Sequence, residues 1–359
     1  MKKKMSSHRL DPAMAGRVLF ITRKYPPQVG GMEQFSHGLI SSIDCDKQTI
    51  ILNKSQKNLI WWYPLALIRA IFKLRKVDMV HVGDGVLARM ARCLKFFTKK
   101  PVVITVHGLD VVWSKGWYQK LFVSKLKKLD KVFCVSEHTK AECKKRGVPE
   151  NKLVVIPNGI SPDRFNSDDK FDFGDKKVLL TVGRLVPRKG VFWFIKEVVP
   201  KLGLDYLYLI AGTGEQEKEI SKYIKEHAMS DQVRMMGRVS DVNLGKLLNS
   251  ADVFVMPNIK VEGDREGFGI VALEAGSQGL PVIGANIEGI KDAIQDGKNG
   301  YLVESGNSEA FIKKISSLFN REDQEKIKEN IKYYTREHYS WSVISKEYLE
   351  EFKKIMDNK

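Results

Sequence analysis

The sequence lacks the features that typify small secreted proteins and membrane-spanning proteins. Only four of its 359 residues are cysteines, and no two of them have the Cys-x-x-Cys spacing of a redox or metal site. This content excludes a disulfide framework and is typical of a reducing compartment, where the thiols are buried. The most apolar run, LIWWYPLALIRAIF, has about 14 residues and contains Pro64 and Arg69, whereas a membrane-spanning helix needs roughly 20. The composition therefore predicts a globular protein without such a helix.

Other signals are absent or incomplete. The amino-terminal stretch MKKKMSSHRLDPAMAGRVLF has a basic tip but no apolar segment, so no signal peptide is predicted and we expect a cytoplasmic protein. The segment LIAGTGEQ contains only the G-x-G part of a dinucleotide-binding fingerprint. No P-loop, zinc-protease motif or Ser-His-Asp spacing occurs. The chemistry must therefore be sought in other residues.

Positive charge is concentrated in the first half of the chain. Residues 1–165 hold 31 Lys and Arg against 12 Asp and Glu, a net charge of +19, while the remaining residues carry −2. A segregated charge of this size predicts an anionic partner that faces the first half only.

Short apolar segments recur along the chain, each followed by polar residues or glycine. The first half contains RVLFIT (17–22), VDMVHVG (77–83), PVVITVHG (101–108), KVFCVS (131–136) and LVVIP (153–157). After a stretch rich in Pro, Gly, Asp and Asn at 158–177, the second half contains KVLLTVGR (177–184), LYLIAGTG (207–214), VRMMGRV (233–239), ADVFVMP (251–257), LPVIGA (280–285) and GYLVE (300–304). Continuous apolar strands separated by helix-length segments are typical of parallel sheets buried on both faces.

These patterns predict an α/β protein with two Rossmann-like doubly wound domains that face each other across a cleft. We assign residues 1–165 to the first domain and residues 166–339 to the second. A carboxy-terminal helix at 340–359 is expected to pack back on the first domain. Ligands bind such sheets at the carboxyl ends of the strands, so the cleft is the expected site.

Two cations follow the first strand of the second half. TVGRLVPRKG places Arg184 and Lys189 five residues apart around a turn that contains Pro187 and Gly190. Two cations at a strand end, with a helix starting nearby, favour a diphosphate ligand. The alternative is a pair of solvated cations on a loop.

Two glutamates flank a Gly-Phe-Gly turn in REGFGIVALEAGSQG. Gly267 and Gly269 allow backbone amides to approach a ligand, and a helix should follow from about Ile270. Glu266 then lies in the loop, and Glu274 about one turn into the helix, where its carboxylate can accept bonds from vicinal hydroxyls. We expect both to bind sugar rather than to act as an acid–base pair. The alternative for Glu274 is an exposed helix residue.

Two histidines follow or lie in apolar strands of the first half. His107 comes at the carboxyl end of a strand and precedes Gly108, which favours a role in the site over a structural role. His81 lies inside a strand, and we interpret it as structural.

The segment EGFGIVALE resembles the E-x7-E signature of family 4 retaining glycosyltransferases, which have the GT-B fold. The resemblance covers nearly the whole chain, in the family's order: YPPQVGGMEQFSHGL, VHVGDG, TVHGLD, IPNGISPDRF, TVGRLVPRKG, LIAGTGEQ, MMGRVSD, ADVFVMP and GLPVIG. It is specific, because several unrelated motifs match with the expected separations.

The resemblance implies a role for each matched residue. Gly30 and Gly31 correspond to the loop that closes over the donor phosphates and the acceptor, and His107 to the histidine that contacts the transferred sugar. Arg184 and Lys189 correspond to the pair that neutralises the donor diphosphate. Glu266, with the amides of Phe268 and Gly269, corresponds to the contacts to the sugar hydroxyls, and Glu274 to the ribose ligand. The base is expected near Met236 and Gly237, and Gly267 and Ile270 are further expected donor-binding residues.

The implied reaction transfers a hexosyl-type sugar from a nucleotide-diphosphate sugar with retention of anomeric configuration. His107, Arg184, Lys189 and Glu266 are the implied catalytic residues. The cations supply the electrostatic stabilisation that Mg²⁺ supplies elsewhere. No Asp-x-Asp motif is placed to hold a metal, so we expect no metal and no cofactor besides the sugar donor.

Tryptophans accompany the positive charge of the first half. Four of the six lie there, within KSQKNLIWWYPLALIRAIFKLRK and WSKGWYQKLFVSKLKKLDK. Trp and Leu beside Lys and Arg at amphipathic spacing indicate a helix that lies on an anionic membrane surface. The predicted membrane or acceptor face comprises Trp61, Trp62, Arg69, Lys73, Trp113 and Trp117. We therefore expect a peripheral enzyme at the inner membrane face with a lipid-linked or cell-envelope acceptor; the alternative is a solvated basic face with tryptophans in the core.

Other functions remain open at this stage. A nucleic-acid-binding protein would use the positive charge, but no RRM, KH or helix-turn-helix pattern occurs and the glutamates would have no role. Another GT-B enzyme, such as a nucleotide-sugar epimerase or a phosphorylase, is closer, although a phosphorylase needs a longer chain and a pyridoxal-phosphate lysine. The sequence does not identify the donor base, the sugar, the acceptor or the oligomeric state.

Overall fold

The computed structural model describes residues 16–28, 30–165 and 169–358. The amino-terminal stretch for which no signal peptide is predicted lies outside the described residues, except for the strand at its end. No helix in the described part of the chain combines the length and the apolarity needed to cross a bilayer.

The first domain contains a parallel six-stranded sheet in the order β2-β1-β3-β4-β5-β6. Its strands are β1 Arg17–Thr22, β2 Asp46–Ile51, β3 Met79–Val82, β4 Val102–Val106, β5 Lys131–Cys134 and β6 Leu153–Val155. Its helices are α1 Gly31–Ser42, α2 Leu59–Lys73, α3 Ala88–Leu94, α4 Leu109–Val112, α5 Gly116–Leu121 and α6 Glu137–Lys145. The central strands β3 and β4 are buried along their whole length, as continuous apolar strands covered on both faces should be.

The second domain repeats this architecture in the order β12-β11-β10-β7-β8-β9. Its strands are β7 Lys177–Val182, β8 Tyr206–Ala211, β9 Val233–Gly237, β10 Val253–Met256, β11 Val282–Ala285 and β12 Tyr301–Val303. Its helices are α7 Val191–Glu197, α8 Glu217–Glu226, α9 Asp241–Ser250, α10 Ile270–Ser277, α11 Ile290–Ala293, α12 Ser308–Phe319 and α13 Gln324–Tyr339, after which α14 Trp341–Asp357 follows. Two parallel sheets, each flanked by helices, confirm the predicted fold class.

The last helix, α14, completes the core of the first domain. Tyr348 and Phe352 are fully buried and pack with Phe20 of β1 and Phe133 of β5. Trp341 lies so close to α1 that a Cβ at Gly38 would be 2.0 Å from the indole nitrogen. Only glycine fits there, and the close approach holds α14 against α1.

The chain crosses between the domains twice at one place. The N–H of Ile160 donates to the carbonyl of Tyr339 at 2.8 Å, and the N–H of Trp341 donates to the carbonyl of Ile160 at 2.9 Å. Part of the stretch expected to link the domains packs on the second domain, because Phe165 is buried in its core. The paired crossings fix the two sheets with their strand carboxyl ends on either side of one cleft.

In each sheet the order of the strands reverses at a defined point, which faces the cleft. In the first sheet the chain leaves β1 toward β2 on one side and returns to β3 on the other, and in the second sheet β7 lies between β8 and β10. Ligands of doubly wound sheets bind at the carboxyl ends of the strands at such points. The loops after β1, β3, β7 and β10 are therefore the expected walls of a site.

Candidate active site between the domains

The two domains meet through backbone alone at the centre of the cleft. A Cβ added to Gly267 would lie 2.0 Å from the carbonyl oxygen of His107, and one added to Gly108 would lie 2.7 Å from the Cα of Gly267. Gly108 also has a left-handed φ of 95°. Glycine at both positions is therefore required by close approach, and the loop before α10 packs directly on the end of β4.

Glu266 is held beneath this contact by a cluster of polar groups from the second domain. Its Oε2 lies 2.6 Å from Lys189 Nζ and accepts a hydrogen bond of 3.2 Å from the Asn258 amide. Its backbone N–H donates to Glu288 at 2.6 Å, and the guanidinium of Arg188 lies 3.8 Å away. Burial alone would raise the pKa of Glu266, but Lys189 and Arg188 outweigh it and hold that pKa below its usual range. Glu266 is therefore an ionised, oriented carboxylate.

The turn after β7 aims Lys189 at this carboxylate. A short 3₁₀ turn over Pro187–Lys189 ends at Gly190, which has a left-handed φ of 66°. A side chain at Gly190 would collide with the Pro257 carbonyl, 1.8 Å from the added Cβ, so the turn packs tightly on the end of β10. Lys189 consequently passes over Gly183 toward Glu266.

The structure separates the two cations that the sequence pairs. Lys189 contacts Glu266, whereas Arg184 is exposed and forms no ion pair with any described residue. Arg188, which the sequence analysis passed over, is buried beside Glu266 and lies 3.5 Å from Asp264. Its position next to Lys189 in PRKG, on the same 3₁₀ turn, is the feature of the sequence that could have indicated a role for Arg188 in the site.

Glu274 lies in the second turn of α10 and is buried, which excludes an exposed helix residue. Arg164 Nη1 donates to its Oε1 at 2.7 Å, and Gln34 of α1 lines the same cavity. Burial raises the pKa of Glu274 to about 7, although Arg164 opposes the shift. The carboxylate faces a cavity of about 420 Å³ between the domains. Lining residues include Pro26, Gly30, Glu33, Gln34, His37, Arg164, Asp241, Glu274 and Trp341.

The predicted glycine loop lies on the opposite wall of the cleft. Gly30 lines the cavity beside Glu274, and Gly31 begins α1. A Cβ at Gly31 would lie 3.6 Å from the Ile270 side chain, at the amino-terminal end of α10. Gly269 precedes that helix with a left-handed φ of 89°, and Phe268 is buried. The loop thus faces the start of α10, where free N–H groups and the helix dipole favour an anion.

The His107 ring is held by the first domain. Its Nε2 lies 2.9 Å from the Gly83 carbonyl, so Nε2 carries a proton, and the ring packs edge-on against Phe35 at 4.7 Å. Its backbone N–H donates to Asp110 at 2.7 Å. Burial raises the pKa of Asp110, with His107 opposing the rise. His107 therefore has a fixed orientation at the centre of the cleft. His81, by contrast, is buried in the aromatic core and bonded to Thr105.

The predicted base-binding residues lie at the edge of the second sheet. Gly237 ends β9 with a left-handed φ of 61°, and its carbonyl accepts a 2.7 Å hydrogen bond from Gly212. Met236 is half-buried and packs on the second core. Both lie at the carboxyl end of β9, and Lys189 follows the carboxyl end of β7 in the same parallel sheet.

A face of the first domain exposes aromatic and apolar side chains. Trp61 and Phe72 of α2 are 76% and 77% exposed, and Leu65 and Ile68 lie between them on the same side of the helix. Trp113 and Trp117, around the start of α5, are also exposed and in edge-to-face contact. We call this set, with exposed Ile60 and Arg69, the aromatic face.

Two residues of the predicted membrane face do not belong to the aromatic face. Trp62 is partly buried against the first core, because it shares the inward side of α2 with Ala66 and Ala70, four and eight residues later. Lys73 donates a 2.8 Å hydrogen bond to Gln48 of β2. The helical period therefore corrects the prediction for these two residues.

No group of three or more His, Cys, Asp or Glu side chains able to hold a metal occurs within residues 16–28, 30–165 and 169–358.

Comparison with known proteins places this geometry in a family. The family model described as Glycosyltransferase Family 4 matches residues 14–164, and the model described as Glycosyl transferases group 1 matches residues 163–338. A Staphylococcus aureus glycosyltransferase of capsular polysaccharide biosynthesis is 30% identical over 77% of this chain and 77% of its own length. A UDP-Gal:alpha-D-GlcNAc-diphosphoundecaprenol alpha-1,3-galactosyltransferase of Escherichia coli is 29% identical over 74% of this chain and 70% of its own.

Solved structures confirm the fold. The Anabaena protein HepE in complex with UDP superimposes with a TM-score of 0.77 at 17% identity, over 94% of this chain and 100% of its own. At this identity the likeness concerns the fold alone, which is that of the GT-B glycosyltransferases. The two family models, the capsular relative and the two facing sheets together show that the chain belongs to the family 4 glycosyltransferases.

Proposed function

We propose that this glycosyltransferase moves a hexosyl-type sugar, with retention of anomeric configuration, from a nucleotide-diphosphate sugar to a lipid-linked acceptor at the cytoplasmic face of the membrane. The observation that carries the donor part is the 2.6 Å contact between Lys189 and Glu266 in front of α10. It brings a cation suited to a diphosphate next to a carboxylate suited to sugar hydroxyls, at the amino-terminal end of a helix.

The donor would span the cleft from Glu266 to Glu274. In this proposal Glu266, with the amides of Phe268 and Gly269, binds the transferred sugar, and Glu274 binds the ribose. Lys189 and Arg184 neutralise the diphosphate, with Arg184 free to turn toward it from the exposed surface. Gly30 and Gly31 close over the phosphates, and the base extends toward Met236 and Gly237. The structural likeness to a UDP complex supports a nucleoside diphosphate as the ligand class.

The proposed mechanism needs charge stabilisation rather than a protein nucleophile. The acceptor attacks on the face from which the diphosphate leaves, and a diphosphate oxygen takes the acceptor's proton. Lys189 and Arg184 stabilise the charge that develops on the leaving group, and His107 contacts the sugar from the first domain. We propose that no metal is required; loss of turnover in EDTA with recovery in Mg²⁺ would contradict this.

The acceptor part of the proposal rests on the aromatic face and on the charge of the first half. Exposed apolar side chains at helical spacing have no partner among the described residues, and a patch of this kind marks an interaction surface. The excess of Lys and Arg in residues 1–165 makes an anionic bilayer the matching partner. The Escherichia coli relative, whose acceptor is a diphosphoundecaprenol-linked sugar, supports an acceptor of this class.

The first test is a thermal-shift series with UDP, GDP, ADP and their sugars. The cognate nucleotide should raise the melting temperature of the wild type and much less that of Glu274→Ala, because binding stabilises the folded state by mass action. Glu325→Ala, which changes an exposed glutamate on α13, is the matched control and should respond as the wild type does. A wild type that none of the nucleotides stabilises would contradict the proposed function.

A further inference from the structure

The side chain of Arg164, near the crossing between the domains, makes three hydrogen bonds to two carboxylates of the second domain. Its Nε and Nη2 donate to the two carboxylate oxygens of Asp241, at 2.9 and 2.7 Å, and its Nη1 donates to Glu274 Oε1 at 2.7 Å. The contact to Asp241 is bidentate, which fixes the plane of the guanidinium as well as its position. One arginine therefore connects α9, α10 and the segment that enters the second domain.

The surroundings of Arg164 restrict it further. It lies on a 3₁₀ turn over Pro162–Phe165, and its guanidinium lies 4.9 Å from the ring centre of Phe165, which is buried in the second core. It also lines the interdomain cavity that Glu274 faces. The arginine is therefore preorganised before any ligand enters the cavity.

We propose that Arg164 is a positioning residue that orients the Glu274 carboxylate for the ribose hydroxyls of the donor. The ion pair engages Oε1, and the proposal assigns Oε2 to the vicinal hydroxyls. This inference rests on the proposed function, because it takes Glu274 as the ribose ligand. Arg164 itself need not touch the donor.

Electrostatics supports this role. An ionised carboxylate accepts hydrogen bonds at both oxygens, and these bonds are stronger than those to a protonated carboxyl group, but burial disfavours the ionised form of Glu274. The pKa of Glu274 is about 7 with Arg164 in place, so loss of the arginine would raise that pKa further. Other charged groups that face this region are Asp241 of α9, Glu33 and His37 of α1, and Arg336 of α13, which bonds to the Ser277 carbonyl. Among these other groups, Asp241 raises the pKa of Glu274. Arg164 opposes this rise through its direct ion pair with the carboxylate.

A purely structural role for Arg164 gives different expectations. If the arginine only fastened the crossing segment to α9, its loss would lower stability without changing how the protein distinguishes ribose from deoxyribose. If it positions Glu274, its loss would remove that distinction. The ratio of two affinities therefore separates the two roles.

The experiment measures the Kd of the stabilising nucleoside diphosphate and of its 2′-deoxy analogue by calorimetry, from pH 6 to pH 9. We expect the wild type to prefer the ribonucleotide, with affinity that falls below about pH 7. Arg164→Ala should bind the ribonucleotide about tenfold more weakly than the wild type does, and the deoxy analogue nearly as well as the wild type does. The pH at which the affinity of this variant for the ribonucleotide falls to half should be higher than in the wild type. Arg164→Lys should retain part of the preference. Arg321→Ala, which breaks an exposed pair with Asp323, is the control and should match the wild type.

Each outcome decides the question. If Arg164→Ala keeps the wild-type preference and pH profile, the proposal is overturned while the proposed function stands. If the wild type binds no nucleotide, both fail. Should Arg164→Ala not fold, Arg164→Gln replaces it, since a long uncharged side chain can stay in place without forming the ion pair with Glu274. Wild-type preference and pH profile in that variant would equally overturn the proposal.

Discussion

Lys189 and Arg184 differ in their surroundings, so their side chains should contribute differently to stability and to turnover. Lys189 is the direct partner of a buried carboxylate, whereas Arg184 is exposed. A buried charge that loses its partner is costly, while an exposed cation contributes little to folding. Substitution of Lys189 should therefore affect both stability and turnover, whereas substitution of Arg184 should affect turnover alone.

We predict that Lys189→Ala lowers both kcat/KM and stability, the latter by on the order of 1–3 kcal/mol because Glu266 stays buried with weaker compensation. Arg184→Ala should lower kcat/KM by about tenfold or more and leave the free energy of unfolding unchanged. Urea unfolding and steady-state kinetics on both variants test this. Equal loss of stability in the two would contradict the described geometry.

The burial of His81 leads to a second prediction, which concerns the pH dependence of stability. Burial in the aromatic core, and to a lesser degree His107, lower the pKa of His81 from 6.5 to about 3. The unfolded chain therefore binds a proton that the folded chain does not between these values. The contribution of His81 to stability is full above pH 6.5 and declines as pH falls toward 3.

His81→Gln should remove this acid sensitivity. Over the middle of that window the wild type should lose about 1.4 kcal/mol per pH unit more than the variant does. The variant will be less stable at pH 7, because it loses ring contacts with Phe20 and Tyr348. Only the slope tests the prediction, and parallel pH profiles from urea unfolding would refute it.

The sequence predicts candidate site residues but not the residues that pair with them in the structure. Glu266, Glu274 and Lys189 were predicted as ligand groups because they occur in motifs with a fixed spacing. Arg164 and Arg188 were missed, because their roles depend on contacts with residues far away in sequence: Arg164 lies 110 residues from Glu274. Spacing identifies a motif, whereas ion pairs between motifs are decided by the tertiary fold.

Among the elements, helix α2 has large apolar residues on both of its sides. Trp62 and Leu67, with Ala66 and Ala70, pack against the core of the first domain, whereas Trp61 and Phe72 face away from it. An amphipathic helix of a globular domain normally has a polar outer side. The outward stripe therefore indicates a surface that has a partner.

Substitution of that stripe should weaken membrane binding without unfolding the domain. We predict that the double variant Trp61→Ser with Phe72→Ser loses most of its co-sedimentation with anionic liposomes while its melting temperature changes little. Val242→Ser, which removes an exposed apolar residue of the second domain, is the matched control and should bind as the wild type does. Equal binding of wild type to neutral and anionic liposomes would contradict the proposed surface.

Strand β2 is an element that the pattern of apolar residues in the sequence does not predict. Its sequence DKQTII has polar residues at four of six positions, and the strand forms the edge of the first sheet. An edge strand is covered on fewer sides, so it need not be apolar, and the sequence analysis did not predict it. The central strands were predicted because burial on both faces requires a continuous apolar run.

At the scale of the whole molecule, the two domains approach so closely at Gly267 that no side chain can fit there. The Gly267 backbone packs on the His107 carbonyl, while the amide of Glu137 bonds to Asp292 across the same interface at 2.9 Å. Any added atom at Gly267 must separate the domains or distort the loop before α10.

Gly267→Ala should therefore lower kcat strongly while the protein remains folded. The added methyl group would lie 2.0 Å from an oxygen atom, so the domains could not approach as they do here, and small-angle scattering should report a larger radius of gyration. Gly116→Ala is the control, because no described atom lies within 4 Å of its added Cβ. An active Gly267→Ala variant with unchanged scattering would contradict this interpretation of the interface.

The packing of α14 on the first sheet also has a consequence for biosynthesis. Phe20, Phe35 and Phe133 are enclosed by a helix that begins at Trp341, more than 300 residues after β1. During translation the first domain therefore emerges with one side of its core uncovered, and that side stays uncovered until the second domain and α14 have left the ribosome. Nascent chains that stall between Val303 and Trp341 should be substrates for chaperones and proteases, even though strands β1 to β12 have already been made.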